Sequence, residues 1–108
     1  MRFKGNNDIA VSVESISKAT RFYEGVLGLK LLKEEPSLRV YDTGGFTLYV
    51  QQGEPHPPVP SFTVWNLHKA KNHLVENDCT ILVELERSLY FRDPNGVVWD
   101  IIEVNTQK

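Results

Sequence analysis

Asp8, Tyr49, Trp65 and Asp100 are the residues of this chain best suited to chemistry. Two carboxylates, a phenol and an indole can hold a small organic molecule. Carboxylates accept hydrogen bonds or attract a cation, and aromatic rings offer flat apolar area and a π face. Burial of a carboxylate near its twin raises its pKa, so Asp8 and Asp100 are the candidate acid–base residues. Arg39, Tyr41, Tyr90 and Arg92 complete the candidate ligand-binding set. The remaining reactive residues offer less. His68 and His73 are five positions apart on a predicted helix and share no face. His56 lies in a proline-rich stretch. Cys79 is the one cysteine, which excludes an intrachain disulfide and reads as a buried, inert thiol. Phosphate-binding glycine loops, a nucleophile elbow and the HExxH zinc pattern are all absent from the sequence.

These residues group together because of strand alternation, in which successive side chains point to opposite faces. Ile9, Val11 and Val13 are predicted to face a helix, as are Phe46, Leu48 and Val50. Phe62 and Val64, then Val97, Trp99 and Ile101, do the same in the second half of the chain. Leu38, Val40, Leu89 and Phe91 are assigned to the helix side too. All eight candidates, Arg39 and Tyr41 included, then lie on the opposite face. That face is small and polar near its centre, with aromatic residues toward its edges.

The elements that carry this face recur. An offset of 51, read without gaps, relates Val13 to Val64, Lys18 to Lys69, Ala19 to Ala70 and Leu38 to Leu89. The same offset relates the turn Asp42–Gly45 to Asp93–Gly96. Ile16, Ala19 and Tyr23 form a helical stripe at i, i+3, i+7, and Leu67, Ala70 and Leu74 repeat it. Ser15 or Ser17 is the expected cap of the first helix, Gly28 its stop, and Asn66 the cap of the second. Neither half can bury a sheet face alone, so two βαβββ modules with a pseudo-twofold relation are expected in one α+β domain. Module 1 covers about residues 6–52, a linker 53–58, and module 2 about 59–104, all within one domain, 1–108. Helices are expected near 17–27 and 67–76.

Composition narrows the possible partners. The chain has 12 Lys and Arg against 14 Asp and Glu, a net charge of −2 with no basic patch, so nucleic acid is not an expected partner. No apolar run approaches the ~20 residues of a membrane span. The N-terminal MRFKGNNDIAV lacks an apolar signal core, so a cytoplasmic location is expected.

Two segments carry a family resemblance. Phe22-Tyr-Glu-Gly-Val-Leu-Gly-Leu29 and Tyr90-Phe-Arg-Asp-Pro-Asn-Gly-Val-Val-Trp-Asp-Ile101 resemble the two signatures of the glyoxalase / bleomycin-resistance / extradiol dioxygenase group, the vicinal oxygen chelate superfamily. The resemblance covers roughly residues 6 to 104 and implies a curled mixed sheet enclosing a cavity. It also implies metal-ligand positions, which fall on Asp8, Tyr49, Val59 and Asp100. Valine has no donor, and a phenol stays neutral until pH ~10, so this set departs from the family's imidazole and carboxylate ligands. No cofactor is expected, and at most a weakly bound divalent cation. Three readings stay open. One is a metal-free small-molecule binding protein. Another is an enzyme of lyase or dioxygenase type, with unusual ligands or an acid–base carboxylate. The third is a non-catalytic interaction module. Short hairpins imply low cavity walls, and a homodimer is the expected closure.

Overall fold

A computed structural model describes residues 1–104. Eight strands and two helices follow one another as β1 (Lys4–Val13), α1 (Ile16–Thr20), β2 (Lys30–Glu35), β3 (Leu38–Asp42), β4 (Thr47–Gln52), β5 (His56–Val64), α2 (Leu67–Glu76), β6 (Thr80–Glu84), β7 (Ser88–Arg92) and β8 (Val98–Glu103). This is an α+β chain in which a β-α-β-β-β run occurs twice. It forms two compact units. The first is Asn7–Val59, and the second is Met1–Asn6 together with the described chain from Pro60 to Val104. The expected linker is strand in its second half, since β5 begins at His56. Extended backbone suits the fixed φ of Pro57, Pro58 and Pro60.

In the first unit the strand order is β2-β3-β4-β1, with β1 parallel to β4 and the other pairs antiparallel. Val11, Ile16, Ala19, Tyr41, Leu48 and Val50 form its core. In the second unit the order is β5-β8-β7-β6, with β5 parallel to β8. Its core is Val64, Leu67, Ala70, Leu74, Leu89, Phe91 and Ile101. The two predicted helical stripes are therefore the core faces of the two helices. The caps also match the expectation. Ser15 Oγ accepts from the Lys18 amide at 3.2 Å, and Asn66 Oδ1 accepts from the Lys69 amide at 2.8 Å. These bonds satisfy amides that the first helical turn leaves without a partner.

The gapless offset needs correction. The first helix continues from α1 as a π-helical segment, Arg21–Val26, in which the Leu27 amide bonds the Phe22 carbonyl at 3.0 Å. Eleven residues run from Ile16 to Val26 where α2 has ten. The extra residue is taken up by the wider turn, the usual origin of a π-bulge. The helix-ending left-handed residues, Gly28 (φ 69°) and Asp78 (φ 70°), are consequently 50 apart. The offset of 50 holds through β2 and β3 against β6 and β7, including bulges at Leu32 and Leu82. It returns to 51 at β4 and β8 because the β7–β8 loop, 93–97, is one residue longer than 43–46. The two hairpin turns occupy matching links but sit one residue out of step. Thr43 is the counterpart of Asp93, each bonding backbone amides of its own turn.

Candidate functional site

The correction moves two candidate residues. Tyr41 pairs with Leu48 and Arg39 with Val50, so both point to the helix side of β3. Alternation favoured the apolar Leu38 and Val40 for that side. Tyr41 wins the position because its ring fills the core and its hydroxyl is satisfied. It is 0% exposed and donates to Glu24 Oε2 at 2.9 Å. Burial and the bond to Glu24 both push its phenol pKa up. Arg39 lies at the end of β3. Its guanidinium donates to the Leu38 carbonyl at 2.9 Å and to the Glu35 carbonyl, and it pairs with Glu34 at 3.3 Å. Neither residue reaches the helix-free face.

On that face of the first unit, registered neighbours run Ala10–Tyr49–Val40–Lys33 across four strands. Asp8 lies one step along, paired with Thr47. Asp8 is half-buried, and burial pushes its carboxyl above the usual carboxylate range. Burial, and next the negative charge of Asp8, raise the Tyr49 phenol, while Lys33 acts in the opposite direction. Asp8, Tyr49 and Lys33 are thus electrostatic neighbours. Lys33 itself bridges Glu35 at 3.1 Å.

The matching row in the second unit is Ser61–Asp100–Tyr90–Val83. Asp100 is 7% exposed and Ser61 6%. The side-chain Nδ2 of Asn6 donates to Ser61 Oγ at 2.9 Å and to Thr63 Oγ1 at 3.2 Å. A buried carboxylate beside hydroxyls and a phenol is a polar patch in an otherwise apolar layer, where charge-assisted hydrogen bonds gain strength. Arg92 is two residues from Tyr90 on the same face, opposite Val98. Trp65 lies four residues beyond Ser61, a run of roughly 13 Å at strand rise. It is 73% exposed, so its indole stands apart from the Asp100 row.

Val59 is 3% exposed and offers no donor atom. Among the described residues no group of three or more His, Cys, Asp and Glu side chains gathers as a metal set. The donor chemistry at the four positions that the resemblance implies, a valine, a phenol raised in pKa and two aspartates, does not fit the family's metal. Asn6 and Lys33 were missed by sequence reasoning. Asn6 precedes the strand that alternation detects, and a bulge aims Lys33.

Comparison with known proteins identifies the family and the fold. The model of the Glyoxalase/Bleomycin resistance protein/Dioxygenase superfamily matches residues 6–101, and the chain belongs to that superfamily. It is 28% identical to the metallothiol transferase FosB of Staphylococcus haemolyticus over 109 aligned positions, covering 86% of this chain and 78% of the relative. A hypothetical protein of Bacillus halodurans shares the fold at a TM-score of 0.70 and 19% identity, over 100% of this chain and 99% of that one. Homoprotocatechuate 2,3-dioxygenase of Brevibacterium fuscum aligns at TM-score 0.70 and 18% identity, over 96% of this chain but 37% of the dioxygenase. No helix among the described residues is long and apolar enough to cross a membrane.

Proposed function

We propose that this protein is a cytoplasmic small-molecule binding member of its superfamily that works without the family's usual metal. The observation that carries the reading is Asp100. Its carboxylate is held almost wholly out of water on a helix-free face, in register with Ser61 and Tyr90. Low-dielectric surroundings strengthen the attraction of a carboxylate for charge, so a ligand carrying a cationic or hydrogen-bond-donating group fits this position. Tyr90 adds ring surface beside it, and Asp8 and Tyr49 give the first unit a comparable polar face. A homodimer is part of the proposal, because the short β2–β3 and β6–β7 hairpins supply little wall for a ligand.

Two measurements test it. Elemental analysis of protein purified without chelator is expected to find no stoichiometric transition metal. About one metal per chain, lost in Asp100→Ala, would overturn the reading in favour of a metal-dependent enzyme. A thermal-shift screen of amines and aromatic cations is expected to stabilise the wild type and not Asp100→Asn. Equal stabilisation of both would remove Asp100 from the site.

A further inference from the structure

The first unit holds a groove on its helix side, separate from the faces discussed above. It encloses about 340 Å³ between the end of β1, the first helix and Pro55. That volume lies at the lower end of small-molecule pockets. Val13, Phe22, Tyr23 and Pro55 supply its apolar surface, and Lys18 and Glu14 border it. Phe22 is half exposed and meets Tyr23 edge-on at 5.4 Å between ring centroids.

The second unit shows what such a place accepts. Tyr23 corresponds to Leu74, Phe22 to His73 and Val13 to Val64 at the offset of 51. There the N-terminal segment lays the ring of Phe3 beside His73, with centroids 6.4 Å apart, and edge-on to Phe62 at 6.3 Å. Phe3 packs against the core of that unit. The segment that leads into β5 carries Glu54 and Pro55, neither of which has an aromatic ring to offer, and Pro55 borders the groove. The first unit therefore keeps open a position that an aromatic side chain fills in the second.

The polar rim sets the rest of the ligand. Lys18 takes part in no ion pair among the described residues, so its ammonium is available to an anion. Glu14 disfavours a second negative charge. We propose that this groove binds a small aromatic monocarboxylate, its ring in the position that Phe3 takes in the other unit and its carboxylate on Lys18.

Phenylacetate, titrated into the intact protein and followed by amide NMR shifts, is the probe. Saturable shifts confined to residues 12–23 and the neighbours of Pro55 are expected. Lys18→Met, an exposed change that leaves the fold intact, is expected to weaken binding about tenfold. Glu54→Phe, which supplies the missing ring, is expected to abolish binding and raise Tm. Phenethylamine, the matched amine, is expected not to compete. Shifts centred elsewhere, unchanged affinity in Lys18→Met, or equal binding of the amine would each overturn the proposal. Unchanged binding by a folded Glu54→Phe would do the same.

Discussion

The two units begin with the same instructions and first diverge at one residue in the helix. Both helices start from a side-chain cap and bury an i, i+3, i+7 stripe of similar size. Both end on a residue in the left-handed conformation. Between those points the first unit carries one more residue. A π turn absorbs it, and the stripe, the caps and the strand that follows stay in phase. The comparison teaches that core-facing positions are conserved between units in space while the count of residues between them is not. Helix ends and hairpin loops take up the difference.

Deletion breaks that comparison most directly. Val26 is 70% exposed and lies in the wide turn, while Val75 is 52% exposed and lies in the regular α2. Removing Val26 lets the first helix close as α2 does, and a loss under about 1 kcal/mol is expected. Removing Val75 shortens a helix that has no residue to spare. It disturbs the closing bond from the Cys79 amide to the Leu74 carbonyl and the phase of β6. A loss on the order of 3 kcal/mol is expected, because a one-residue slip of a strand reverses its faces. Chemical denaturation of the two variants compares them. Equal losses would mean that the π turn is not an accommodated insertion.

How much of this was legible follows from the same slip. Asn66 and both apolar stripes could be read directly, and the first cap was narrowed to Ser15 or Ser17, since capping and helical periodicity are local. The side of the sheet that Asp100 takes followed from alternation between Trp99 and Ile101, which pack on the helix side, while its burial is a property of the fold. Tyr41 and Arg39 were misplaced because a single offset hid the shift from 51 to 50. Local pattern also favoured Leu38 and Val40 for the core, and a tyrosine wins a core position only when a partner for its hydroxyl exists. That partner, Glu24, is 17 residues away. Asn6 was illegible for a related reason. The chain changes unit at Asn7, which takes a φ of 67°, and nothing in the alternating pattern of β1 announces it.

A hydroxyl exchange sharpens the comparison next. Tyr41 and Phe91 are counterparts, each paired across the sheet to a helix-side residue, Leu48 and Trp99. Tyr41→Phe removes the donor to Glu24 and is expected to cost about 1–2 kcal/mol. Phe91→Tyr places a hydroxyl in the core of the second unit, where no acidic residue occupies the place of Glu24: the helix position matched to it is Val75. A loss of about 1–3 kcal/mol is expected from the unsatisfied group. If Phe91→Tyr proves neutral, the two cores are less different than their packing indicates.

The smallest effect concerns Asp8, the acidic group of the first unit's helix-free face. Burial raises its carboxyl, so the folded state prefers the protonated form. A raised folded-state pKa gives a contribution that is fully present below the unfolded value of ~3.9 and lost as pH rises through the folded one. At pH 7 the charged carboxylate therefore works against folding. Asp8→Asn is expected to raise Tm by about 1–2 °C at neutral pH, and the gain is expected to vanish below about pH 4, where the wild-type group is protonated in both states. Solvent at this half-buried position keeps the change small. The same variant removes a negative charge that holds the Tyr49 phenol up. Ultraviolet titration of Asp8→Asn against wild type is then expected to show one tyrosine ionising at lower pH, and a Tyr49→Phe background removes that difference. A Tm gain that persists at pH 3, with no change in the tyrosine titration, would mean that Asp8 acts through packing and not through its charge.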